Sequence, residues 1–452
     1  MMANKPSALL LFLMTGLLLE GCDTPLNVKS PAASYFIKYF GNEGSQTGTD
    51  FIVNPDGTFV LFGTTKKGSG EARFFLVKAD AKGNVMWEKT FGSAKCQARD
   101  IELASDGRIV VLGNMIVPGR ADYDIYLSTF LDSTQQYIYF NGYKDAITKQ
   151  PVNEDASAVT QTNDGFIVAG SSGNIAHSSD PSILRDDFIL RVDANLAIYN
   201  PGIWPKIPSY GQGTENVATK IVQLPSQDFY VFGYTKFNKA GAPPYDFDFW
   251  YYGLGNNGNG PKSEIAYLGS PGKDQKLFSV SVDTTRLGNG FFLAGLETDP
   301  SGDRIYISRL HHPALAFDGA VSDALPIQPN FLGIDLGKLN TVSNPPNPSN
   351  EFVSVCALKN SGYLVLTNEV TTAGDNNLFL IKIKNDGSQD LAWNNTPIIY
   401  GGQGDDFAGS VQELPDGKIA IIGTITVGQA SVNNGETKMV LIKVNQGGQF
   451  AD

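Results

Sequence analysis

One short turn recurs along the chain, and it limits the fold more than any other feature of the sequence. Each copy places Asp-Gly, or a close variant, between runs rich in Val, Ile, Phe and Tyr. Such a turn joins adjacent antiparallel strands, because a type I′ turn requires positive φ angles. The seven copies are Pro55-Asp56-Gly57, Asp106-Gly107, Asn163-Asp164-Gly165, Ser226-Gln227-Asp228, Gly288-Asn289-Gly290, Asn360-Ser361-Gly362 and Pro415-Asp416-Gly417.

A second marker, an aromatic residue or Leu shortly before Gly, alternates with the turn. Its copies are Phe40-Gly41, Phe91-Gly92, Phe140-Asn141-Gly142, Tyr210-Gly211, Leu268-Gly269, Leu332-Gly333 and Tyr400-Gly401. The turns are about 60 residues apart on average, which is room for four short strands per unit. Seven four-stranded units predict an all-β, seven-bladed β-propeller.

The phase of the repeat predicts how the ring closes. The chain after residue 34 begins with a lone fourth strand at 35–40, and it ends with the first three strands of the last unit. Pairing these fragments would complete a blade and remove two exposed strand edges. We therefore expect residues 35–452 to form a propeller closed by its N-terminal strand on the C-terminal blade.

The repeat resembles that of secreted bacterial tandem-repeat propellers, whose copies read Trp-x-Lys-Thr-x-Gly followed by Asp-Gly. The segment Trp87-Glu-Lys-Thr-Phe-Gly92 carries this resemblance. The resemblance implies the same fold, whereas propellers host many unrelated activities.

The N-terminus is typical of an exported protein. Lys5 precedes an apolar run from Ala8 to Leu19, which is too short to span a hydrocarbon core of about 30 Å and fits a signal peptide. The run ends in Leu19-Glu20-Gly21-Cys22, which resembles the lipobox of bacterial lipoproteins, although Glu20 departs from the family pattern. An ordinary cleaved signal peptide and an uncleaved anchor are the alternatives.

The lipobox resemblance implies a signal peptide at 1–21 and a tether over 22–34. It also implies that Cys22 carries lipid, with palmitate among the acyl chains. The protein would then be lipid-anchored in the cell envelope, at the outer membrane and either periplasmic or surface-exposed. A formal net charge of -12 argues against nucleic acid as a partner, since binding it requires a positive footprint.

Long insertions cluster on one predicted face of the disc. They fall at 143–154 and 334–350, between units, and at 171–186, 234–246 and 424–438, between second and third strands. Insertions gathered on one face indicate a binding face, although neutral drift is the alternative. The aromatic residues expected to contact a ligand there are Tyr143, Trp204, Tyr234, Phe237 and Tyr245.

An acidic residue recurs just before the first strand, as Asp50, Asp100, Asp155, Glu351 and Asp406, with Glu215 and Asp274 nearby. These carboxylates would ring the central channel, where each caps local backbone N–H groups. Oxygen ligands also suit Ca²⁺, and the pair Asp405 and Asp406 is the candidate for a partial calcium site. No other cofactor is expected.

The sequence favours a non-catalytic binding or scaffold propeller for a glycan or protein partner. It contains no nucleophile–base motif such as Gly-x-Ser-x-Gly. Two alternatives stay open: a carbohydrate-active enzyme, either glycosidase or lyase, with paired carboxylates, and a structural subunit of an envelope assembly, which would present an apolar patch.

Overall fold

The structure is a computed structural model, and the described residues exclude 1–34 and a set of loops. The described ranges are 35–116, 119–145, 147–173, 184–207, 215–224, 226–237, 246–260, 265–269, 272–283, 290–300, 302–311, 332–334, 353–360, 362–370, 374–385, 389–393, 398–427 and 435–450. Within these ranges the chain forms 27 β-strands and no α-helix. Accordingly, no described helix is long and apolar enough to cross a membrane.

The strands form seven antiparallel sheets, which are the blades of one propeller. Blade 1 contains β2 (Ser45–Val53), β3 (Phe59–Lys66), β4 (Arg73–Ala79) and β5 (Val85–Phe91). Blade 2 contains β6 (Ala94–Leu103), β7 (Ile109–Ile116), β8 (Tyr123–Leu131) and β9 (Thr134–Asn141). Blade 3 contains β10 (Glu154–Thr162), β11 (Gly165–Ser172) and β12 (Asp186–Asp193), with isolated bridges to Ile198 and Lys206 along its outer edge.

The other blades repeat this order. Blade 4 contains β13 (Asn216–Gln223), β14 (Phe229–Phe237), β15 (Asp246–Leu254) and β16 (Ala266–Leu268). Blade 5 contains β17 (Asp274–Asp283), β18 (Gly290–Asp299), β19 (Gly302–His311) and β20 (Leu332–Ile334). Blade 6 contains β21 (Val353–Ala357), β22 (Tyr363–Val370), β23 (Asn376–Ile383) and β24 (Ile398–Tyr400). The predicted all-β, seven-bladed propeller is confirmed.

Blade 7 is built from both ends of the described chain. It contains β25 (Phe407–Glu413), β26 (Ile419–Thr426), β27 (Thr437–Val444) and, as its outer strand, β1 (Phe36–Phe40). Strand β1 runs antiparallel to β27, with Phe36 opposite Lys443 and Phe40 opposite Met439. The first strand of the chain therefore completes the last blade.

Apolar contacts between neighbouring blades form the core. Seven clusters of buried side chains lie between consecutive blades, one at each boundary around the ring. In β4, Phe74 packs toward blade 2 while Phe75 packs toward blade 7. Side chains alternate across a strand, so a strand that is apolar on both faces joins two clusters.

The innermost strands are also hydrogen-bonded from blade to blade. At every boundary a polar side chain bonds a backbone group of the adjacent first strand, over 2.7 to 3.4 Å. The pairs are Asp50 with Ile101, Asp100 with Val159, Thr160 with Ile221, Thr219 with Leu277, Ser279 with Val355, Ser354 with Val411 and Gln412 with Phe51.

Substitution in β1 tests the contribution of the ring closure to stability. Phe40 is 1% exposed and packs between blades 7 and 1, whereas its neighbour Tyr39 is 51% exposed. We expect Phe40→Ala to lower the free energy of unfolding by about 3–5 kcal/mol, because a cavity replaces a buried ring. Tyr39→Ala should change it by less than about 0.5 kcal/mol. Urea unfolding measures both, and equal small effects would contradict the closure.

Candidate functional site

A cleft of 1240 Å³ opens between blades 2 and 3, on the face that carries the long loops. Its walls are the segments 119–123 before β8, 145–153 before β10 and 184–185 before β12. Side chains from the innermost strands of both blades complete the lining. Described residues from two of the insertions noted in the sequence, 143–154 and 171–186, thus border one cavity.

An arginine pair held by one carboxylate lies in this cleft. Asp155 of β10 accepts hydrogen bonds from Arg99 Nη2 at 2.7 Å, Asn114 Nδ2 at 2.6 Å and Arg185 Nη2 at 2.6 Å. The side chains of Arg99, Asp155 and Arg185 are 36%, 35% and 33% exposed, so all three face the cavity. We call these three residues the arginine clamp.

A β-bulge aims Arg99 at the cavity. The register between β6 and β7 shifts between Ala98 and Asp100, so Arg99 is the extra residue of the bulge. A bulge bends its strand and redirects one side chain, and bulges are common beside binding sites. The close approach of the strands here requires glycine on β7, because a Cβ at Gly113 would lie 2.5 Å from the carbonyl oxygen of Gln97.

Arginine occupies this bulge position in blade 2 alone among the described first strands. Five other first strands carry the same register shift. Their bulge residues are Thr49, Ser157, Thr219, Phe278 and Gly409. The clamp is therefore a feature of blades 2 and 3 and not of the repeat.

Asp155 stays ionised in the clamp. Burial by itself would raise the pKa of this carboxyl, but the Arg99 and Arg185 guanidiniums and the Asn114 amide outweigh it and hold the pKa below its usual value. With three N–H donors on one carboxylate, the clamp is rigid and carries two positive charges against one negative charge.

A second charged group lies at the wall of the cleft. Arg120, before β8, donates to the carboxylates of Asp122 and Asp124, the latter at 3.1 Å. Burial would raise the pKa of Asp122, but the hydrogen bond from Arg120 lowers it overall. Burial also raises the pKa of Asp124, whose side chain is 1% exposed.

Glu154 is protonated at neutral pH beneath this wall. It is fully buried, and burial raises its pKa to about 9, with the nearby charge of Asp124 as a further cause. Its Oε1 accepts the Tyr143 N–H at 3.1 Å. Among the described residues, Glu154 Oε2 and Asp124 Oδ2 are both buried without a hydrogen-bond partner.

The loop before β10 forms a preorganised wall. Asp145 Oδ1 accepts the N–H groups of Ile147 and Thr148 at 2.9 and 2.5 Å, as a turn-capping carboxylate does. The wall is joined to the loop before β8, because the Tyr123 N–H donates to Asn153 Oδ1 at 2.8 Å. Ile147 is 46% exposed and Leu184 on the opposite wall is 66% exposed, so the cleft also has apolar edges.

The aromatic residues predicted to bind a ligand have other contacts. Trp204 is 2% exposed and packs with Trp250 in the cluster between blades 3 and 4, so its ring offers no open face. Tyr143 is half-buried, and its hydroxyl bonds Tyr139 at 3.0 Å. Tyr234 is half-buried and meets the Phe247 ring edge-on at 5.6 Å.

Three further predicted positions fall partly or wholly outside the described residues. Phe237 ends β14, and nothing is described of its side chain. Tyr245 and Cys22 both lie outside the described ranges. Ligand binding by these aromatic residues and lipid attachment at Cys22 stay predictions.

The candidate calcium ligands accept hydrogen bonds from the protein. Asp406 is fully buried and accepts the N–H groups of Gly402 and Thr426, both at 2.7 Å. Asp405 Oδ1 accepts the N–H and side-chain amide of Asn376. Across the part of the chain that the structure describes, no group of three His, Cys, Asp or Glu residues could hold a metal ion. The calcium site stays a prediction.

The expectation of one repeated carboxylate position is wrong. Asp50 and Asp100 follow the bulges of β2 and β6, opposite Phe62 and Leu112. Asp155 instead precedes the bulge of β10. Asp406 lies before β25, and Glu351 is outside the described ranges. Relative to the bulge of their strand, the carboxylates therefore occupy at least three different positions, and they have different hydrogen-bond partners.

No family model matches the sequence, and no curated protein matches it. Solved structures with a similar fold include a glucose dehydrogenase, with a TM-score of 0.39, 9% identity and coverage of 90% of this chain and 99% of that chain. An α-L-arabinofuranosidase of Fusarium graminearum in complex with an iminosugar inhibitor has a TM-score of 0.41 and 10% identity. The match covers 90% of this chain and 98% of that chain.

The extracellular domains 1–2 of Drosophila Semaphorin 1a give a TM-score of 0.44 and 10% identity, covering 90% of this chain and 87% of that chain. At such low TM-scores and identities these similarities assign no function. The fold and the candidate site define a seven-bladed propeller with a polar cleft between two of its blades.

The protonated Glu154 in the cleft wall predicts a pH-dependent stability. Its pKa is raised to about 9 in the folded state, whereas the ordinary pKa of an unperturbed Glu is 4.5. Between these values the folded protein binds more protons than the unfolded one, so stability falls as pH rises. A glutamine amide can accept the Tyr143 N–H and donate to Asp124 without titrating. We expect Glu154→Gln to stabilise the protein at pH 8 by on the order of 3 kcal/mol.

Urea unfolding at pH 5, 7 and 8 measures this effect. The gain should shrink toward pH 5, because glutamic acid is then protonated in the folded state and increasingly in the unfolded state. Glu88→Gln, at an exposed position of β5, is the matched control and should leave the pH profile unchanged. Equal destabilisation by Glu154→Gln at all three pH values would show that Glu154 is ionised.

Proposed function

We propose that this protein is a lipid-anchored protein of the cell envelope whose propeller binds a glycan in the cleft between blades 2 and 3, without catalysis. The observation that carries the proposal is the arginine clamp, a set of hydrogen-bonding groups that lines a large cavity. Binding sites of this kind combine a few oriented polar groups with apolar contact surface.

The size and lining of the cleft support a glycan. Its volume of 1240 Å³ exceeds the range of about 300–1,000 Å³ typical of small-molecule pockets, which favours a ligand of several sugar units. Its lining combines amide and hydroxyl groups, which suit sugar hydroxyls, with the apolar side chains of Ile147 and Leu184, which suit the faces of sugar rings.

The carboxyl groups support binding in preference to catalysis. A general acid or base must come within hydrogen-bond reach of the substrate. Glu154, the protonated carboxyl group, is fully buried and accepts the Tyr143 N–H, while Asp155 is held by three N–H donors. Both carboxyl groups therefore accept hydrogen bonds that stabilise the walls of the cleft.

A second candidate, a carbohydrate-active enzyme, has one observation in its favour. The pKa of Glu154 is raised and that of Asp122 is lowered, and such a divergence between neighbouring carboxyl groups is common in acid–base catalysis. Because Glu154 has no exposed surface, this candidate requires the cleft wall to open during reaction. The binding experiment below also distinguishes the two candidates.

Binding of oligosaccharides tests the glycan proposal. The whole chain with Cys22→Ser is titrated calorimetrically with a panel of neutral and acidic oligosaccharides. We expect at least one to bind, and Arg99→Ala to weaken it about tenfold or more, because the cleft loses guanidinium donors and Asp155 loses one of its partners. Asp106→Ala is the control, since Asp106 pairs with Arg108 beside a tight turn outside the cleft.

Two outcomes would contradict the proposal. If no oligosaccharide binds, or if Arg99→Ala and Asp106→Ala bind alike, the cleft is not a glycan site. If chromatography of the bound sugar shows shortened products, and Asp122→Asn abolishes them, the protein is an enzyme. Urea unfolding of each variant shows whether a loss of binding reflects loss of fold.

Lipid attachment is tested separately, by feeding expressing cells an alkyne analogue of palmitate. We expect label and membrane association for the wild-type protein, and neither for Cys22→Ser, because the lipobox resemblance implies acylation of that sulfur. Cys356→Ser is the matched control, since Cys356 lies in β21 of the propeller and should leave labelling intact. Label that persists in Cys22→Ser would exclude the anchor.

A further inference from the structure

The arginine clamp has more hydrogen-bond donors than its own carboxylate can use. A guanidinium group has five N–H donors. Among the described residues, the side chain of Arg185 donates only to Asp155, through Nη2. Arg99 uses Nη2 for Asp155 and for Gln97, while its Nε is buried without a partner. The clamp can therefore offer N–H groups to a ligand.

The clamp has few acceptor positions left for donors from a ligand. Three N–H groups already converge on the carboxylate of Asp155, which has about four lone-pair sites. Asn114 Oδ1 also accepts the Ala156 N–H at 2.9 Å. A ligand group with acceptor oxygens therefore suits the clamp better than one with donors, and it meets two guanidiniums against one carboxylate.

The other charges in the cleft belong to separate groups. Arg120 pairs with two carboxylates, Asp122 and the buried Asp124, so that group contributes no net positive charge, and Glu154 is uncharged at neutral pH. Asp145 is ionised, but its carboxylate is turned to the N–H groups of its own loop. The net charge of -12 on the whole chain acts mainly at long range, and salt screens it beyond about 10 Å at 0.1 M.

We propose that the clamp binds a carboxylate of the ligand, so that the glycan bound in the cleft is an acidic oligosaccharide built from uronic acid units. This inference rests on the proposed glycan-binding function and names its ligand class. The planar guanidinium groups of Arg99 and Arg185 match the two oxygens of a carboxylate, and charge-assisted bonds of this kind are stronger than those to neutral hydroxyls. Sugar hydroxyls would bond the amide groups of the walls.

The test compares trigalacturonate with its fully methyl-esterified form, using calorimetry on the whole chain with Cys22→Ser. The two probes share their sugar rings and hydroxyls, and they differ in carboxylate charge. We expect the acid to bind about 10- to 100-fold more tightly than the ester at 0.1 M salt. The difference should shrink severalfold at 0.5 M salt.

Variants identify the residues responsible. Arg185→Ala should abolish the preference for the acid, and Arg185→Lys should keep a reduced preference, because lysine retains the charge without the planar fork. Arg73→Ala is the matched control, because Arg73 is an exposed arginine of blade 1 outside the cleft lining. Unchanged thermal unfolding of Arg185→Ala confirms that its effect is local.

Failure of this inference and failure of the proposed function give different results. Equal binding of acid and ester overturns the carboxylate inference and leaves a glycan-binding cleft. Preferential binding of the acid that survives in Arg185→Ala also overturns it, because the carboxylate then binds elsewhere. If neither these two probes nor any member of the neutral and acidic panel binds, the cleft is not a glycan site and both proposals fall.

Discussion

The packing of each blade against two neighbours is the constraint on which the rest of the structure depends. In β4, Phe74 and Phe75 are adjacent in sequence and belong to different apolar clusters, on opposite faces of one sheet. A blade on its own would expose both faces to water, and a row of blades would expose one face at each end. Only a closed circle buries all of them, and β1, paired with β27, provides the last outer strand.

The same constraint creates the candidate site. Fixed blades bring the innermost strands together, so that Arg99 of blade 2 and Asp155 of blade 3 meet although they are 56 residues apart. Arg185 arrives from the loop before β12, and its partner Asp155 is 30 residues earlier in the chain. The geometry of the clamp therefore depends on the buried packing that fixes the angle between the two blades, and not on the loops alone.

The sequence predicts the features that are local, and misses those that depend on contacts across blades. Turns such as Asp106-Gly107 need a positive φ angle at one residue, here Gly107, which the residue type reveals, and they gave the number of blades correctly. The bulge at Arg99 leaves no sign in its own segment, although Gly113 on the facing strand hints at a close approach. The burial of Trp204 depends on Trp250 of the next blade, and no local pattern shows it.

The position of β1 at the outer edge of blade 7 has a mechanical consequence. Only one neighbour, β27, holds this five-residue strand by backbone bonds, and the first of its pairs joins Phe36 to Lys443. Tension applied to the chain ahead of Phe36 would load that pair before any other and peel the strand away one pair at a time. Pulling on the chain ahead of β1 would therefore open the ring strand by strand at blade 7, without first breaking the packing between blades.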